Sequence, residues 1–269
     1  MDEKLRALKT LLGEIGSVLV AYSGGTDSSL LLRVAKDVLG DRVVAVTARS
    51  PLYPDKEYYE SLRLAAQMGV RHLAITTDEL ELPEFSRNPP DRCYYCKREL
   101  FLKLRDIAAQ EELECIADGT NYDDLQDHRP GMKAAEELGV RSPLCEAKLS
   151  KSDVRSIARG LGLATWNKPT QACLASRIPY GMEITAPTLE RITQAEDYLW
   201  SLGMLNVRVR DHGDTARIEV DTTALGSLVD GDLRPRIVEF MKSLGYVYVT
   251  VDLEGYRTGS MNEVLEPDQ

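Results

Sequence analysis

Apolar residues change their period repeatedly along the first 165 positions. Short continuous runs alternate with stretches in which they recur every three or four residues. The second pattern is that of an amphipathic helix and the first that of a buried strand. Residues 2–14 predict a helix, with Leu5, Leu8, Leu11 and Leu12 on one face. Val18–Tyr22 predicts a strand, Ser28–Leu39 a helix closed by Gly40, and Val43–Thr47 a second strand. A helix over Pro54–Met68 ends at Gly69, and Leu73–Thr76 is a third strand. A loop rich in Pro, Asn and Asp runs to about Arg92. Then come a helix at Tyr95–Ala109, a strand at Cys115–Ala117, a helix at Gly131–Leu138, a short strand at Arg141–Leu144 and a helix at Ser152–Leu161. Strands alternating with helices imply an α/β fold, a parallel sheet with helices on both faces. Ligands of such sheets sit beyond the carboxyl ends of the strands.

The pattern breaks at Thr165–Thr185, where two prolines interrupt it and little periodicity remains. Beyond it, Leu189–Leu202 predicts a helix. Leu205–Arg210 and Thr215–Val220 alternate apolar with charged residues and read as a hairpin turned at His212-Gly213-Asp214. Leu233–Leu244 is a helix and Tyr246–Val251 a strand. The expected organisation is an α/β domain over 1–165, a junction loop over 166–185, and a small α+β domain over 186–269 for substrate binding or oligomerisation.

Composition narrows the class. A formal net charge of −10 over 269 residues disfavours a nucleic-acid partner. No apolar run reaches the roughly 18 residues of a membrane span. The first residues form a charged amphipathic pattern rather than a signal peptide, so a cytoplasmic location is expected. The five cysteines are then expected to be reduced, metal-bound or catalytic.

The first strand runs into Ser23-Gly24-Gly25-Thr26-Asp27-Ser28-Ser29. Gly24 and Gly25 allow close approach of the backbone to a ligand, and the amides of the next helix point at an anion. Ser23, Thr26, Ser28 and Ser29 add hydroxyl donors, and Asp27 is a candidate magnesium ligand. The spacing is not that of a Walker loop. Thr47 ends the second strand at the same edge of the sheet. Asp118-Gly119-Thr120-Asn121 follows the fourth strand and brings acids and hydroxyls to that edge, with Asp123 and Asp124 behind it. Ser150 and Asp153 form a capping arrangement around Lys151, which is placed to neutralise phosphate charge.

Cys93-Tyr94-Tyr95-Cys96 lies after the third strand at a helix start, and Cys173 lies in the junction. A lone CxxC fits a redox pair, half of a zinc site, part of an iron–sulfur site, or no metal at all. Cys115 and Cys145 read as small buried hydrophobes. Arg208 and Arg210 are two apart on a strand and share a face. With Arg177 they suit carboxylate or phosphate, or else form a solvated sheet face. His72, His128 and His212 share no metal-ligand spacing.

With SGGTDS, CYYC, DGTNYDD, LSKSDVR, CLASRIPYG and VRVR in place, the chain resembles the LarE family over nearly its whole length. That family lies within the PP-loop ATP pyrophosphatases, whose members split ATP into AMP and pyrophosphate. The resemblance implies an ATP-dependent sulfur transferase that adenylates a carboxylate of pyridinium-3,5-biscarboxylic acid mononucleotide and converts it to a thiocarboxylate. The product leads to the nickel-pincer nucleotide cofactor of lactate racemase. It implies ATP and Mg²⁺ at Ser23–Ser28, Thr47 and Asp118–Asn121, and the substrate at Arg177, Arg208 and Arg210. It implies sulfur chemistry at Cys93, Cys96 and Cys173 with Lys151 assisting, and a homo-oligomer, a hexamer in the family. The CxxC points to the branch with a [4Fe–4S] cluster on Cys93, Cys96 and Cys173, fed by free sulfide or a desulfurase. The other branch sacrifices the sulfur of a single junction cysteine, here Cys173. Competing readings are a tRNA-thiolating enzyme, an ammonia-using ligase such as NAD synthase, and an iron–sulfur or nucleotide-binding protein without turnover.

Overall fold

The computed structural model describes residues 2–126, 130–169, 172–229, 231–257 and 259–265. In chain order the elements are α1 (Asp2–Ile15), β1 (Val18–Ala21), α2 (Thr26–Leu39), β2 (Val43–Arg49), α3 (Asp55–Gln67), β3 (Arg71–Thr76), α4 (Pro83–Ser86), α5 (Arg92–Gln110) and β4 (Cys115–Ala117). They continue as α6 (Pro130–Glu137), α7 (Pro143–Glu146), α8 (Lys151–Gly160), α9 (Ala186–Ser201), β5 (Val207–Asp211), β6 (Thr215–Val220), α10 (Leu225–Val229), α11 (Leu233–Ser243) and β7 (Tyr248–Val251).

Two compact units result. One comprises residues 1–79 and 91–171, the other 80–90 and 172–269. In the first, four parallel strands stand in the order β3-β2-β1-β4. Alternation along β1 sends its side chains into two cores. Val18 and Val20 pack with Leu8 and Leu12 of α1, Leu30 and Leu31 of α2, and Val154 and Ile157 of α8. Leu19 packs with Phe101 and Leu104 of α5 and Ala134 of α6. Helices therefore cover both faces, as the sequence predicts. Burying one Leu or Phe side chain on either face is worth about 1.5–3 kcal/mol.

The expected strand at Arg141–Leu144 shrinks to a single bridge between Ala117 and Arg141. Pro143 lacks an N–H and opens the one-turn helix α7 instead. The predicted loop before Arg92 contains α4, and the CxxC lies inside the first turn of α5 rather than ahead of it.

The second unit holds the expected hairpin, β5 antiparallel to β6, with β7 added parallel to β6. Its core joins Leu199 of α9, Val207 and Val209 of β5, Ile218 of β6 and Met241 of α11. Thr185 caps α9 by accepting from the Thr188 amide. The expected first domain would have included residues 80–90, but they belong to the second unit. The reason is hydrogen bonding. The Asn88 side chain donates to the carbonyls of Pro179 (2.8 Å) and Ile178 (3.2 Å). The Gly181 amide donates to the Asn88 carbonyl and the Ile184 amide to that of Ser86, at 2.9 and 2.8 Å.

Candidate functional site

The loop from β1 into α2 is built to leave amides unclaimed. Gly25 occupies the cap position of α2 and no side chain caps this helix. Its first-turn N–H groups are therefore presented to an anion. By contrast, α8 closes its own start with a full capping box between Ser150 and Asp153. Gly24 has φ of 70°, and a Cβ there would lie 3.0 Å from the Ser61 Cβ of α3. Both the conformation and the close approach require glycine.

Not every hydroxyl of the loop is available. Thr26 is buried and donates to the Thr165 carbonyl at 2.7 Å, tying α2 to the segment after α8. Ser29 is buried against the Tyr22 hydroxyl at 3.3 Å. Ser23 and Ser28 face one another at 3.1 Å, and Ser28 donates to the Gly25 carbonyl.

Asp27, on the first turn of α2, is paired with the Lys151 ammonium. It also accepts from the Asn121 side-chain Nδ2 at 3.3 Å. The turn after β4 supports this arrangement. Asp118 is buried and accepts from Ser142 Oγ (2.7 Å), Thr120 Oγ1 (2.8 Å) and the Thr120 amide. Asp123 accepts from the Lys151 amide at 2.8 Å, and Asp124 from that of Asn121. A Cβ on Gly119 would stand 2.9 Å from the Ser28 nitrogen, so glycine lets this turn press on the start of α2.

A cavity of about 250 Å³ opens beside the loop, with Tyr22, Ser23, Thr47, Arg49, Lys97 and Lys168 among its lining. Thr47 is locked within it. Its hydroxyl donates to the Tyr22 carbonyl at 2.7 Å and so accepts from His72 Nε2 at 2.8 Å. Burial lowers the His72 pKa, favouring the neutral ring. Lys168, absent from the sequence-based candidates, meets Glu57 and Glu60 at 2.7 Å each and the Gly24 carbonyl at 3.4 Å. Burial opposes its charge, but the two carboxylates win and its pKa is raised. A Lys-Pro pair in an irregular stretch was its only mark in the sequence. Its partners on α3 had none, because the pairing is tertiary.

Cys93 is exposed and Cys96 half-buried, one turn apart on α5. The Cys96 thiol lies 4.0 Å from the buried Glu79, which also accepts from Ser50 and Thr77 hydroxyls. Cys173 is half-buried and belongs to the other unit. Among the described residues no three His, Cys, Asp or Glu side chains are gathered as a metal site. Cys115 and Cys145 are half-buried rather than buried, and desolvation raises both thiol pKa values. His128 lies outside the described residues.

The three arginines do come together in the second unit, as a buried cluster and not as a solvated sheet face. Arg177 is 2 % exposed; it holds Glu196 through two bonds of 2.9 and 3.1 Å and the Ala172 and Cys173 carbonyls through its third nitrogen. Arg210 holds Glu219 at 2.8 and 2.6 Å and reaches the Ser176 carbonyl. Arg208 is buried and stacks on Tyr256 at 5.0 Å. Desolvation, then the nearby Arg177 charge, lowers its pKa. An anion entering this cluster would relieve that stress.

No family model matches the chain. Among curated proteins it is 44% identical over 265 residues to an uncharacterised Synechocystis protein, covering 98% of this chain and 99% of that one. It is 42% identical over 268 residues to pyridinium-3,5-bisthiocarboxylic acid mononucleotide synthase of Lactiplantibacillus plantarum, covering 99% and 96%. The chain belongs to the LarE family. The chain is an enzyme that acts as a sulfurtransferase. A shorter match, 28% identity over 159 residues, joins 55% of the chain to 52% of a component of the glutamine-hydrolysing GMP synthase of Archaeoglobus fulgidus. The LarE fold is accordingly a PP-loop ATP pyrophosphatase fold with a small α+β addition. Among the described residues no helix is long and apolar enough to cross a membrane.

Proposed function

We propose that this enzyme uses ATP to convert a carboxylate of pyridinium-3,5-biscarboxylic acid mononucleotide into a thiocarboxylate, toward the nickel-pincer nucleotide cofactor. The carrying observation is the 42% identity, over nearly both chains, to a protein named for the bisthiocarboxylic product. The uncapped start of α2 beside a 250 Å³ cavity supports ATP as the co-substrate.

Carboxylates are poor electrophiles, and adenylation supplies a good leaving group. A substrate carboxylate oxygen attacks the α-phosphorus, the bond to the bridging oxygen breaks, and pyrophosphate leaves. The α2 amides, Ser23 and Ser28 receive the phosphates. Asp27 would hold Mg²⁺, whose charge offsets that of the polyphosphate. Lys151, released from Asp27, then turns to the phosphates. A hydrosulfide next attacks the acyl carbon, the carbon–sulfur bond forms, and the electron pair of the carbon–oxygen bond leaves with AMP. The sulfur proton goes to solvent and no electrons are exchanged. Arg177, Arg208 and Arg210 bind the anionic substrate, two of them pre-oriented by Glu196 and Glu219.

Two thiols one helical turn apart form a soft donor pair that suits iron. Cys93 and Cys96, with Cys173, would hold a [4Fe–4S] cluster that supplies the sulfide. Iron and acid-labile sulfide in anaerobically purified protein test this, beside a C93A/C96A variant. About four irons per chain in the parent and none in the variant are expected. Absence of iron from both would move the sulfur source to Cys173, with loss of one sulfur mass there after turnover. Pyrophosphate release that ignores the carboxylate substrate would refute the adenylation reading itself.

A further inference from the structure

Three lysines line the cavity, and their partners differ. Lys151 is paired with Asp27, and Lys168 with Glu57 and Glu60. Lys97 has no carboxylate partner among the described residues; its ammonium lies 5.3 Å from the centre of the Phe101 ring, an i,i+4 neighbour on α5. A path for its stem is built in. A Cβ on Gly131 of α6 would lie 2.9 Å from Lys97 Cγ and 3.4 Å from the Cys93 carbonyl. Any residue but glycine at 131 would push the lysine stem aside.

Lys97 is also the cavity residue bound directly to the cysteine pair. It follows Cys96 in the chain and lies one turn beyond Cys93, on the same helix face. Sulfur has to reach the acyl carbon, so the reacting carboxyl group belongs at the wall that adjoins the cysteines. In the proposed reading the phosphates of ATP already have the α2 amides and Lys151. A cation on the sulfur side without its own counter-ion is placed for a second anion, distinct from the nucleotide.

We infer that Lys97 is the cation that receives the reacting carboxylate of the substrate and holds it between ATP and the cysteine pair. The inference rests on the adenylation reading above. It assigns Lys97 to substrate positioning rather than to nucleotide binding, so the two ligands separate its effects.

The test compares parent, Lys97→Met and Lys97→Arg proteins. ATP binding is measured by calorimetry, and the carboxylate requirement by ATP–pyrophosphate exchange driven by pyridinium-3,5-biscarboxylic acid mononucleotide. Thermal melting checks the fold. Lys97→Met is expected to raise the KM for the mononucleotide about tenfold or more, the scale of one charge-assisted hydrogen bond. Its ATP affinity should stay within about twofold of the parent, and Lys97→Arg should recover most of the loss. Equal KM values in parent and Lys97→Met would overturn the assignment to Lys97 while leaving adenylation standing. A parallel loss of ATP affinity in a normally melting Lys97→Met protein would overturn it too, by making Lys97 a nucleotide ligand. A parent that binds ATP but shows no mononucleotide-driven exchange would overturn the adenylation reading and this inference with it.

Discussion

Arg210 and Glu219 are 4 % and 1 % exposed, and two parallel hydrogen bonds join them. Burial makes each depend on the other. Arg210→Met would leave the buried Glu219 carboxylate with Arg217, at 3.2 Å, as its remaining guanidinium partner, at a cost of up to about 3–5 kcal/mol. The double change Arg210→Met/Glu219→Leu should recover much of this, because it removes both charges. Urea unfolding of the three proteins checks the expectation; a single variant within about 1 kcal/mol of the parent would show that Arg217 alone satisfies Glu219. If Arg210 receives the substrate as proposed, the double variant should still lose substrate binding. Arg208 contrasts with this pair. Its depressed pKa reflects desolvation and positive neighbours, a condition an anionic ligand improves.

Among the elements, α2 and α8 show opposite ways to begin a helix. Ser150 and Asp153 close α8, and Lys4 of α1 pairs with Asp153 at 2.6 Å. Lys4 first, then Ser150, hold the Asp153 carboxyl down to about 2. Ser150→Ala should destabilise the protein by about 1 kcal/mol in thermal or urea unfolding. The Lys4 contribution has a defined pH window. A carboxyl depressed by folding stabilises above its unfolded pKa of about 4 and loses that contribution as pH falls through about 2. Stability curves of parent and Lys4→Ala should therefore differ most at neutral pH, by no more than about 1 kcal/mol for so exposed a pair. They should draw together from about pH 4 downward and meet below about pH 2; a gap undiminished at pH 2 would exclude the ion pair as its cause. Capping of this kind at α2 would occupy the amides that the proposed function assigns to the nucleotide.

At the scale of the whole molecule, the chain leaves the first unit for one short excursion. Residues 80–90 sit with 172–269, and Asn88 anchors them, fully buried at φ of 57°. Asparagine tolerates that left-handed backbone better than most residues, and its amide satisfies two carbonyls. Asn88→Ala loses both bonds and keeps the strained backbone, for about 2–3 kcal/mol. Limited proteolysis should then cut within 80–90 far faster than in the parent. Unchanged cleavage would mean that the Gly181 and Ile184 backbone bonds alone hold the segment.

Much of this was legible in the chain itself. Period 3.6 named the helices, short continuous apolar runs the parallel strands and alternation the hairpin, because the pattern of burial along one element is a local property of a sequence. Ser-Gly-Gly after an apolar run marked the turn between β1 and α2, because only glycine permits the left-handed backbone and close approach at position 24. The capping box at Ser150 was readable for the same reason: its partners lie three residues apart. Tertiary structure decided the rest. It committed Thr26, Thr47 and Asp118 to internal hydrogen bonds with residues 165, 22 and 142. It brought Lys168 to Glu57 and Glu60 across more than a hundred residues, and it turned an alternating Val-Arg strand into a buried arginine cluster. Those outcomes depend on which distant groups compete for each donor and how far water is excluded, and neither quantity is written in local spacing.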